Sequence, residues 1–349
     1  MYSNISIKLV VTLCAMVFIS ILGYRNISIQ KSNGTKPDTT QQITSLPKLI
    51  INKGDIIRSD THEAIQLKGI ASDALRIETA NVSTDKLTHD IAQAKQWGAN
   101  LIGLFILPSK LDAQRAKLDL AIDVATRLHM YVYLMPIVNT PEFHPSTHID
   151  HSLDTYCMYV ANRYKNNTNI LYGMGAEPFN ISGTLWRERQ IELATIIRKE
   201  NPDAPLLITG VDYGRNFRYT DTEDFPFTNT IYFLVDYKAE NKNSISTENP
   251  VTEYVFAPYL SHRAIIMGEF GGVWKNDFGS DEDLYVIESY LHEMNNQFVS
   301  YSFYRNEAFE GNTYEGLGIY TASGILTKRG ELLVSDLKNY PPTQFEPTQ

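Results

Sequence analysis

The chain alternates between apolar runs and segments with helical periodicity from about residue 48 to residue 338. The apolar runs are nearly continuous, which is typical of parallel strands that are buried on both faces of a sheet. The segments between them read as amphipathic helices, and the first of these ends at Gly98. Its apolar stripe consists of Leu87, Ile91, Ala94 and Trp97. The pattern predicts an α/β fold with a parallel sheet and crossover helices, and it places Trp97 in the core.

The number of strands distinguishes between the architectures that this pattern permits. The runs interpreted as strands are IQLKGIA, NLIGLFI, YVYLMPI, NILYGMG, LLITG, TIYFLVDY, AIIMGEF and FVSYSFY. Helices are predicted at 112–129, 150–165, 187–200, about 251–260, about 284–294 and 331–338, whereas DYGRNFRYTDTEDFPF gives no clear helix. Eight strands favour a (β/α)8 TIM barrel, and residues 48–67 predict a β-hairpin in front of it. A doubly wound open sheet is the alternative, but GIASDALRIE, which follows the first strand, lacks the GxGxxG pattern.

The N-terminal residues differ from the rest of the chain. Residues 9–23 form an uncharged apolar stretch, which is short for a membrane-spanning helix and suitable for the apolar part of a signal peptide. Because no small-x-small cleavage site is evident, we favour an uncleaved anchor over residues 1–25 to a cleaved signal. Residues 26–45 are polar and aperiodic, and they predict a flexible linker to a domain over residues 46–349. Both interpretations place that domain outside the cytoplasm, membrane-anchored or secreted.

The composition excludes several classes of function. The 349 residues carry a formal net charge of −9 and no cluster of lysines and arginines, which argues against nucleic acid as a partner. Cys14 lies in the apolar N-terminal run and Cys157 in a predicted helix, so neither a disulfide framework nor a thiolate metal site is available. Membrane contact is predicted only through the N-terminal segment, and the sequence leaves the oligomeric state open.

Two predicted strands end on a carboxylate. NILYGMGAEP delivers Glu177, and IIMGEFGG delivers Glu269. One such residue is readily explained as a strand end that has reached solvent, but in a barrel all strand C-termini meet at one face. Carboxylates ~5 Å apart fit a retaining glycosidase, with Glu269 as ionised nucleophile and Glu177 as acid/base. The charge of Glu269 and desolvation are expected to raise the pKa of Glu177, and no cofactor is required.

The order and spacing of several stretches resemble glycoside hydrolase family 5, the cellulase-like group of clan A. These stretches are IIRSDTHEAIQLKGI, AKQWGANLIGL, AEP, GEFGG and GLGIYTASGILTKRGELL. The resemblance covers nearly all of residues 46–340. It implies a carbohydrate substrate, a catalytic domain over residues 46–349, and the roles of acid/base for Glu177 and nucleophile for Glu269.

This chain departs from the pattern of that family at several positions. The acid/base of the family normally follows an Asn that contacts the sugar 2-hydroxyl, and Ala176 stands there. The second strand usually ends in an Arg that supports the nucleophile, and Gly103 stands there. Tyr237 in VDY is retained, and the resemblance implies that it donates a hydrogen bond to Glu269. Loss of the 2-hydroxyl contact predicts weak activity on common substrates.

Aromatic residues near the predicted strand ends are candidates for sugar stacking. The Trp platform that the family has at the eighth strand is expected to be replaced by Phe303 or Tyr304. Trp274, on the loop after the nucleophile, is interpreted either as a sugar platform or as loop packing. Trp186 is a weaker candidate of the same kind.

Polar residues in other loops are further candidates for sugar binding. Asn139 stands after the third strand, where the family often has a His, and Asn306 follows the eighth strand, either binding sugar hydroxyls or lying in a surface loop. The stretch HPSTHIDH suggests a metal site, but Pro145 disfavours the continuous helix that would align a His pair. We therefore predict a solvated loop and no metal.

These features favour a retaining β-glycosidase that hydrolyses O-glycosidic bonds of a polysaccharide or oligosaccharide by double displacement. Ala176 and Gly103 motivate an alternative, a barrel that binds glycans and has lost turnover. A transglycosylase is a third possibility, because it uses the same two carboxylates and differs in the access of the acceptor.

Overall fold

Eight parallel strands close into a barrel in the computed structural model of this protein. The structure describes residues 45–75, 84–138, 152–217, 225–237, 262–271, 279–304, 318–321 and 324–345. Its strands are β1 Leu49–Asn52, β2 Asp55–Arg58, β3 Lys68–Leu75, β4 Leu101–Ile106, β5 Tyr131–Pro136, β6 Ile170–Gly173, β7 Leu206–Thr209, β8 Thr230–Tyr237, β9 Ala264–Gly271 and β10 Ser300–Phe303. Neighbouring strands from β3 to β10 pair in chain order, and β10 returns to β3. The predicted barrel is confirmed, and the closing pair excludes the open sheet.

Amphipathic helices follow the strands and cover the outside of the barrel. The longer ones are α1 Thr84–Gln96, α2 Leu111–Arg127, α3 Ser152–Arg163, α4 Gly183–Glu200, α5 Asp281–Asn296 and α6 Lys328–Asn339. Ser182, Ser280 and Thr327 cap three of them, each side chain accepting a hydrogen bond from a first-turn N–H, which satisfies a donor that the helix itself leaves unpaired. The boundaries lie within four residues of the predicted ones. The helix predicted near 251–260 lies outside the described residues.

Successive residues of a barrel strand point alternately to the helices and to the barrel interior. In β4, Ile102, Leu104 and Ile106 pack among the helices, whereas Leu101 and Phe105 belong to the interior cluster. All six residues of this strand are buried. Because both faces are covered, the strand requires apolar residues throughout, which explains the continuous apolar runs in the sequence.

The barrel interior is a packed core. The Tyr133 ring fills the space above Gly103, since a Cβ at Gly103 would lie 2.0 Å from Tyr133 Cζ. The Tyr133 hydroxyl lies 3.0 Å from Ser302 Oγ, and its ring packs edge-on against Phe105 and Phe233. As long as the Tyr133 ring occupies this space, only glycine fits at position 103.

The N-terminal hairpin closes one end of the barrel. Strands β1 and β2 pair in an antiparallel register around the KGD turn, as predicted. Tyr131, the first residue of β5, donates its hydroxyl to the Pro47 carbonyl at 2.6 Å, and the Ile51 N–H donates to Asn229, just before β8, at 2.8 Å. Both contacts are at strand N-termini, so the hairpin covers that end and leaves the C-terminal ends of the strands for a site.

A buried ion pair fastens the last helix to the first barrel strand. Lys68 Nζ lies 3.5 Å from Asp336 Oδ2, and the side chains are 1% and 6% exposed. Tyr301 donates its hydroxyl to the same oxygen at 2.5 Å, and Asn295 donates to the other oxygen at 2.6 Å. Burial lowers the pKa of Lys68, while Asp336 opposes that change.

The predicted anchor over residues 1–25 lies outside the described residues, as does the predicted linker except for its last residue. In the described ranges, no helix has both the length and the apolar character needed to cross a membrane.

Candidate active site

Glu177 lies where β6 leaves the barrel. Ala176 forms the last bridge to the neighbouring strand, with its N–H donating to the Pro136 carbonyl at 2.8 Å. Glu177 follows with φ of +51°, a left-handed conformation that non-glycine residues rarely adopt. Its side chain is half-buried. Backbone strain of this kind persists where the surroundings enforce it, and it is common at functional sites.

A β-bulge aims Glu269 into the barrel. Leu234 pairs with Met267, but the next residue, Val235, pairs with Glu269, so Gly268 is an extra residue in β9. Gly268 also faces inward, because a Cβ there would lie 1.8 Å from Phe233 Cζ. A bulge of this kind redirects the side chain that follows it. Glu269, which is 5% exposed, therefore lies on the same face as Val235 in the interior cluster.

Tyr237 is hydrogen-bonded to one of the two carboxylates. Its hydroxyl donates to Glu269 Oε2 at 3.4 Å, which is a long hydrogen bond. Burial raises the pKa of the Tyr237 phenol well above its ordinary value, and Glu269, Tyr304 and Glu177 raise it further. The phenol therefore stays protonated and remains a donor. Glu177 follows β6, while Tyr237 and Glu269 lie in the C-terminal parts of β8 and β9, so both carboxylates lie at the same end of the parallel barrel.

An aromatic pair beside Glu177 was not anticipated from the sequence. The rings of Phe179 and Tyr213 stack with centroids 5.3 Å apart and planes 1° apart. Tyr213 is 45% exposed, and its N–H donates to the Pro178 carbonyl at 3.0 Å, directly after Glu177. The pair therefore presents an aromatic surface at the edge of the site.

The backbone around this pair is strained as well. Asn180 has φ of +55°, Asp212 of +54° and Tyr213 of +60°. The last two belong to the short turn Val211–Gly214, which follows β7, and they begin the segment for which no clear helix is predicted. Two consecutive left-handed residues other than glycine are costly, of order 1–3 kcal/mol each. The loops on both sides of the aromatic pair thus hold an unfavourable conformation next to Glu177.

A family model described as Cellulase (glycosyl hydrolase family 5) matches residues 59–310. The chain belongs to glycosyl hydrolase family 5. Members of this family are glycoside hydrolases that generally retain anomeric configuration, and membership implies a carbohydrate substrate. Endoglucanase CelA from Streptomyces lividans is 22% identical over 294 residues, which are 78% of this chain and 60% of that protein. The chain thus spans about 60% of the length of this curated relative.

Solved structures of cellulases share the fold of this family 5 protein. Cellulase Cel5C_n superposes with a TM-score of 0.70 at 14% identity, covering 90% of this chain and 98% of that one. The catalytic domain of Thermobifida fusca endoglucanase Cel5A, in complex with cellotetraose, superposes with a TM-score of 0.65 at 17% identity, covering 83% and 97%. At such identities the likeness shows the fold alone.

One of the departures of this family 5 protein from the usual residues, Gly103, has a structural basis. Ala176 is fully buried and carries no polar side chain beside Glu177. Gly103 cannot be replaced by a larger residue without moving Tyr133, whose ring occupies the space of the missing side chain.

The aromatic candidates near the eighth barrel strand are buried. Phe303 is fully buried and packs edge-on against Phe270 on the helix side at 5.2 Å, so burial contradicts a stacking platform there. Tyr304 is 4% exposed, and its ring packs edge-on against Phe105 at 5.6 Å. With so little exposed ring, Tyr304 is better suited to shaping the surroundings of Tyr237 than to stacking on a sugar.

The two tryptophans of the described part, Trp97 and Trp186, are core residues. Trp97 is 8% exposed, as predicted. Trp186 is 1% exposed and donates its ring N–H to the Thr209 carbonyl at 2.9 Å. A Cβ at Gly175 would lie 2.7 Å from its ring, so Trp186 supports the strand end that leads to Glu177 and does not face a ligand.

The remaining candidates, Asn139, Trp274 and Asn306, lie outside the described residues, and so does HPSTHIDH. Their roles stay predictions. In the parts of the chain that the structure describes, no cluster of His, Cys, Asp and Glu side chains could hold a metal ion.

Proposed function

We propose that this family 5 protein is a retaining β-glycosidase that hydrolyses a β-linked glucan or glucan oligosaccharide by double displacement. The observation that carries the proposal is the hydrogen bond from Tyr237 to Glu269 at the C-terminal end of the barrel, the end at which Glu177 follows β6. The endoglucanase relative and the cellotetraose complex of the structural neighbour support a β-glucan as substrate.

Glu269 is suited to the role of nucleophile. Burial at 5% exposure disfavours a charged carboxylate, whereas a hydrogen bond donated to the charged form favours it. The Tyr237 hydroxyl provides that bond, and the raised pKa of the phenol prevents it from becoming a competing anion. Glu269 thus has a donor that favours its charged form and fixes its direction.

Glu177 is suited to the role of acid and base because it is half-buried and keeps access to solvent protons. As Glu269 attacks the anomeric carbon, the glycosidic C–O bond breaks and the leaving oxygen takes the proton of Glu177. A water molecule then gives its proton to Glu177 and attacks the same carbon, which releases the sugar and the Glu269 carboxylate. Two inversions retain the configuration.

The stacked pair Phe179–Tyr213 is proposed to bind a sugar ring on the leaving-group side. Glu177 protonates the leaving oxygen, and Phe179 follows Glu177 by two residues on the same loop. The exposed area of Tyr213 offers an apolar surface to the C–H face of a sugar, in the way that aromatic residues bind ligands in clefts.

The test is the stereochemistry of cellotetraose hydrolysis. The full chain is incubated with cellotetraose, and proton NMR follows the anomeric protons of the released sugars. Glu269→Gln is the inactive control. The proposal predicts that β-anomers appear first and equilibrate later by mutarotation. Initial release of α-anomers, or turnover that survives Glu269→Gln, would contradict it.

A glycan-binding barrel without turnover is the second candidate, favoured by Ala176 and by the filled position 103. It predicts that cellotetraose binds to the wild-type chain and remains intact. Transglycosylation is the third, and the exposed Tyr213 surface favours it because that surface would also hold an acceptor. It predicts products longer than cellotetraose.

We also propose that the protein acts outside the cytoplasm, anchored or secreted, because the apolar residues 9–23 precede a polar segment. Protease treatment of cells with a permeabilised outer envelope and an intact cytoplasmic membrane tests this location: the domain of an anchored chain is digested, and a chain that is neither digested nor found in the medium contradicts the proposal.

A further inference from the structure

Glu269 is a buried carboxylate, and such a group needs a compensating donor or cation. The second barrel strand cannot provide the cation, because Gly103 is covered by the Tyr133 ring. Among the residues that the structure describes, the charged and titratable groups that act on Tyr237, the donor to Glu269, are Glu269 itself, Tyr304, Arg329 and Glu177. Arg329 is the cation of this set, and it comes from the last helix.

Arg329 is fully buried beside the site. Its side chain and that of Asp283, at the start of α5, are both 0% exposed. Arg329 Nε lies 2.9 Å from Asp283 Oδ2, and Nη2 donates to Oδ1 at 3.2 Å. Asp283 is fixed in turn, since its Oδ2 accepts the Gly279 N–H at 2.7 Å. The guanidinium is therefore held in one orientation from the side of α5.

Gly271 creates the gap through which the guanidinium reaches Tyr237. A Cβ built on Gly271 would lie 2.4 Å from Arg329 Nη2 and 3.0 Å from Cδ1 and Cε1 of the Tyr237 ring. The cation and the ring thus share the space that a side chain at Gly271 would fill. The positive charge of Arg329 lowers the pKa of the Tyr237 phenol. Burial and the neighbouring carboxylates raise this pKa and outweigh Arg329, so the phenol remains protonated. A phenol polarised in this way is a stronger hydrogen-bond donor.

We propose that Arg329 is a positioning residue for the nucleophile: held by Asp283, it fixes and polarises Tyr237 through the gap at Gly271, and so strengthens the hydrogen bond from Tyr237 to Glu269. The inference rests on the proposed role of Glu269. It assigns a purpose to a buried ion pair that stability alone explains poorly, since such pairs often contribute no more to stability than apolar residues of equal volume.

The test is the pKa of Glu269, measured by carbon NMR of the full chain labelled at the glutamate carboxyl carbons and assigned with Glu269→Gln. The main variant is the double substitution Arg329→Leu with Asp283→Leu, which leaves no unpaired buried charge. Gly271→Ala is the second variant, because it displaces Nη2 and keeps both charges. Lys68→Met is the matched control, since it breaks another buried ion pair, the one between β3 and α6.

We expect the pKa of Glu269 to rise by about half a unit to one unit in the double variant and in Gly271→Ala, and to stay unchanged in Lys68→Met. In a Tyr237→Phe background, the same substitutions should add no further rise. An unchanged pKa in the folded double variant overturns the proposal, and so does a rise that persists without the Tyr237 hydroxyl. If the double variant does not fold, Gly271→Ala decides. The titration needs no turnover, so a failure of the proposed function is seen separately, in the cellotetraose assay.

Discussion

The hydroxyl of Tyr237 lies 3.4 Å from Oε2 of Glu269. Tyr237 faces the barrel interior through the alternation of β8, and Glu269 faces it because of the bulge at Gly268. Without the extra residue, the alternation of the strand would turn the carboxylate toward the helices. The bulge therefore explains how a strand buried on both faces ends on a charged residue. It also places the donor and the acceptor of this hydrogen bond on adjacent strands.

Removing the hydroxyl with Tyr237→Phe should lower kcat/KM for cellotetraose about tenfold. Hydrogen bonds to charged groups contribute roughly 1.5–3 kcal/mol, and this bond is long, so the lower end applies. The matched control is Tyr131→Phe, which removes a buried phenol hydroxyl at the closed end of the barrel. Activity in Tyr237→Phe equal to that of the control would show that the contact does not assist the nucleophile.

Replacing the acid/base with Glu177→Ala should affect substrates according to their leaving groups. Cellotetraose has a poor leaving group that needs a proton, so its hydrolysis should fall by about 100-fold or more. An aryl cellobioside with a nitrophenol leaving group needs no proton, and formation of its glycosyl-enzyme should fall much less. The two rates are compared by single-turnover kinetics. Equal losses for both substrates would be incompatible with an acid role.

Truncation of the exposed aromatic surface with Tyr213→Ala should weaken binding of longer oligosaccharides. Loss of one stacking ring costs about 1 kcal/mol, which corresponds to a roughly fivefold higher KM for cellopentaose and a smaller change for cellobiosides that lack a sugar on the leaving-group side. Tyr285→Ala is the matched control, because Tyr285 is also 45% exposed but lies on the solvent face of α5. The same KM change in both variants would remove Tyr213 from the site.

Stability should increase with pH in the alkaline range because of Lys68. Burial lowers the pKa of this lysine in the folded state, so the unfolded state binds more protons between the lowered pKa and the ordinary value of 10.5. The free energy of unfolding therefore rises as pH rises through that window. Urea titrations of wild type and Lys68→Met at several pH values check this, since the variant should lack the increase. Parallel pH curves for both proteins would contradict the assignment to Lys68.

The sequence predicts this fold well where the signal is local. The apolar runs revealed each barrel strand because burial on both faces demands apolar residues throughout. The carboxylates Glu177 and Glu269 stand out for the same reason, as charges at the ends of such runs. The expected hydrogen bond between Tyr237 and Glu269 is present in the structure.

Other features of the site depend on register and on packing between distant segments, which a local pattern does not contain. The bulge at Gly268 arises from pairing between β8 and β9 and is invisible within β9 alone. Tyr213 stacks on Phe179 because of a left-handed turn that no local residue pattern predicts. Arg329 reads as an ordinary charge at a helix start, and only the gap at Gly271 brings it to Tyr237. Gly271, the first of the two final glycines of GEFGG, is the one local signal of this contact, because a glycine in a strand often marks a close approach of another group.

The central claim is that Glu269 forms a covalent bond to the sugar while Glu177 serves the leaving group. It is tested most directly by incubating the full chain with 2-deoxy-2-fluoro-β-cellobiosyl fluoride and measuring its intact mass, followed by peptide mapping. The account predicts one fluorocellobiosyl group per chain, attached to the peptide that contains Glu269 and absent in Glu269→Gln. An adduct on another residue, or cellotetraose hydrolysis by a chain that never accumulates an adduct, would contradict it.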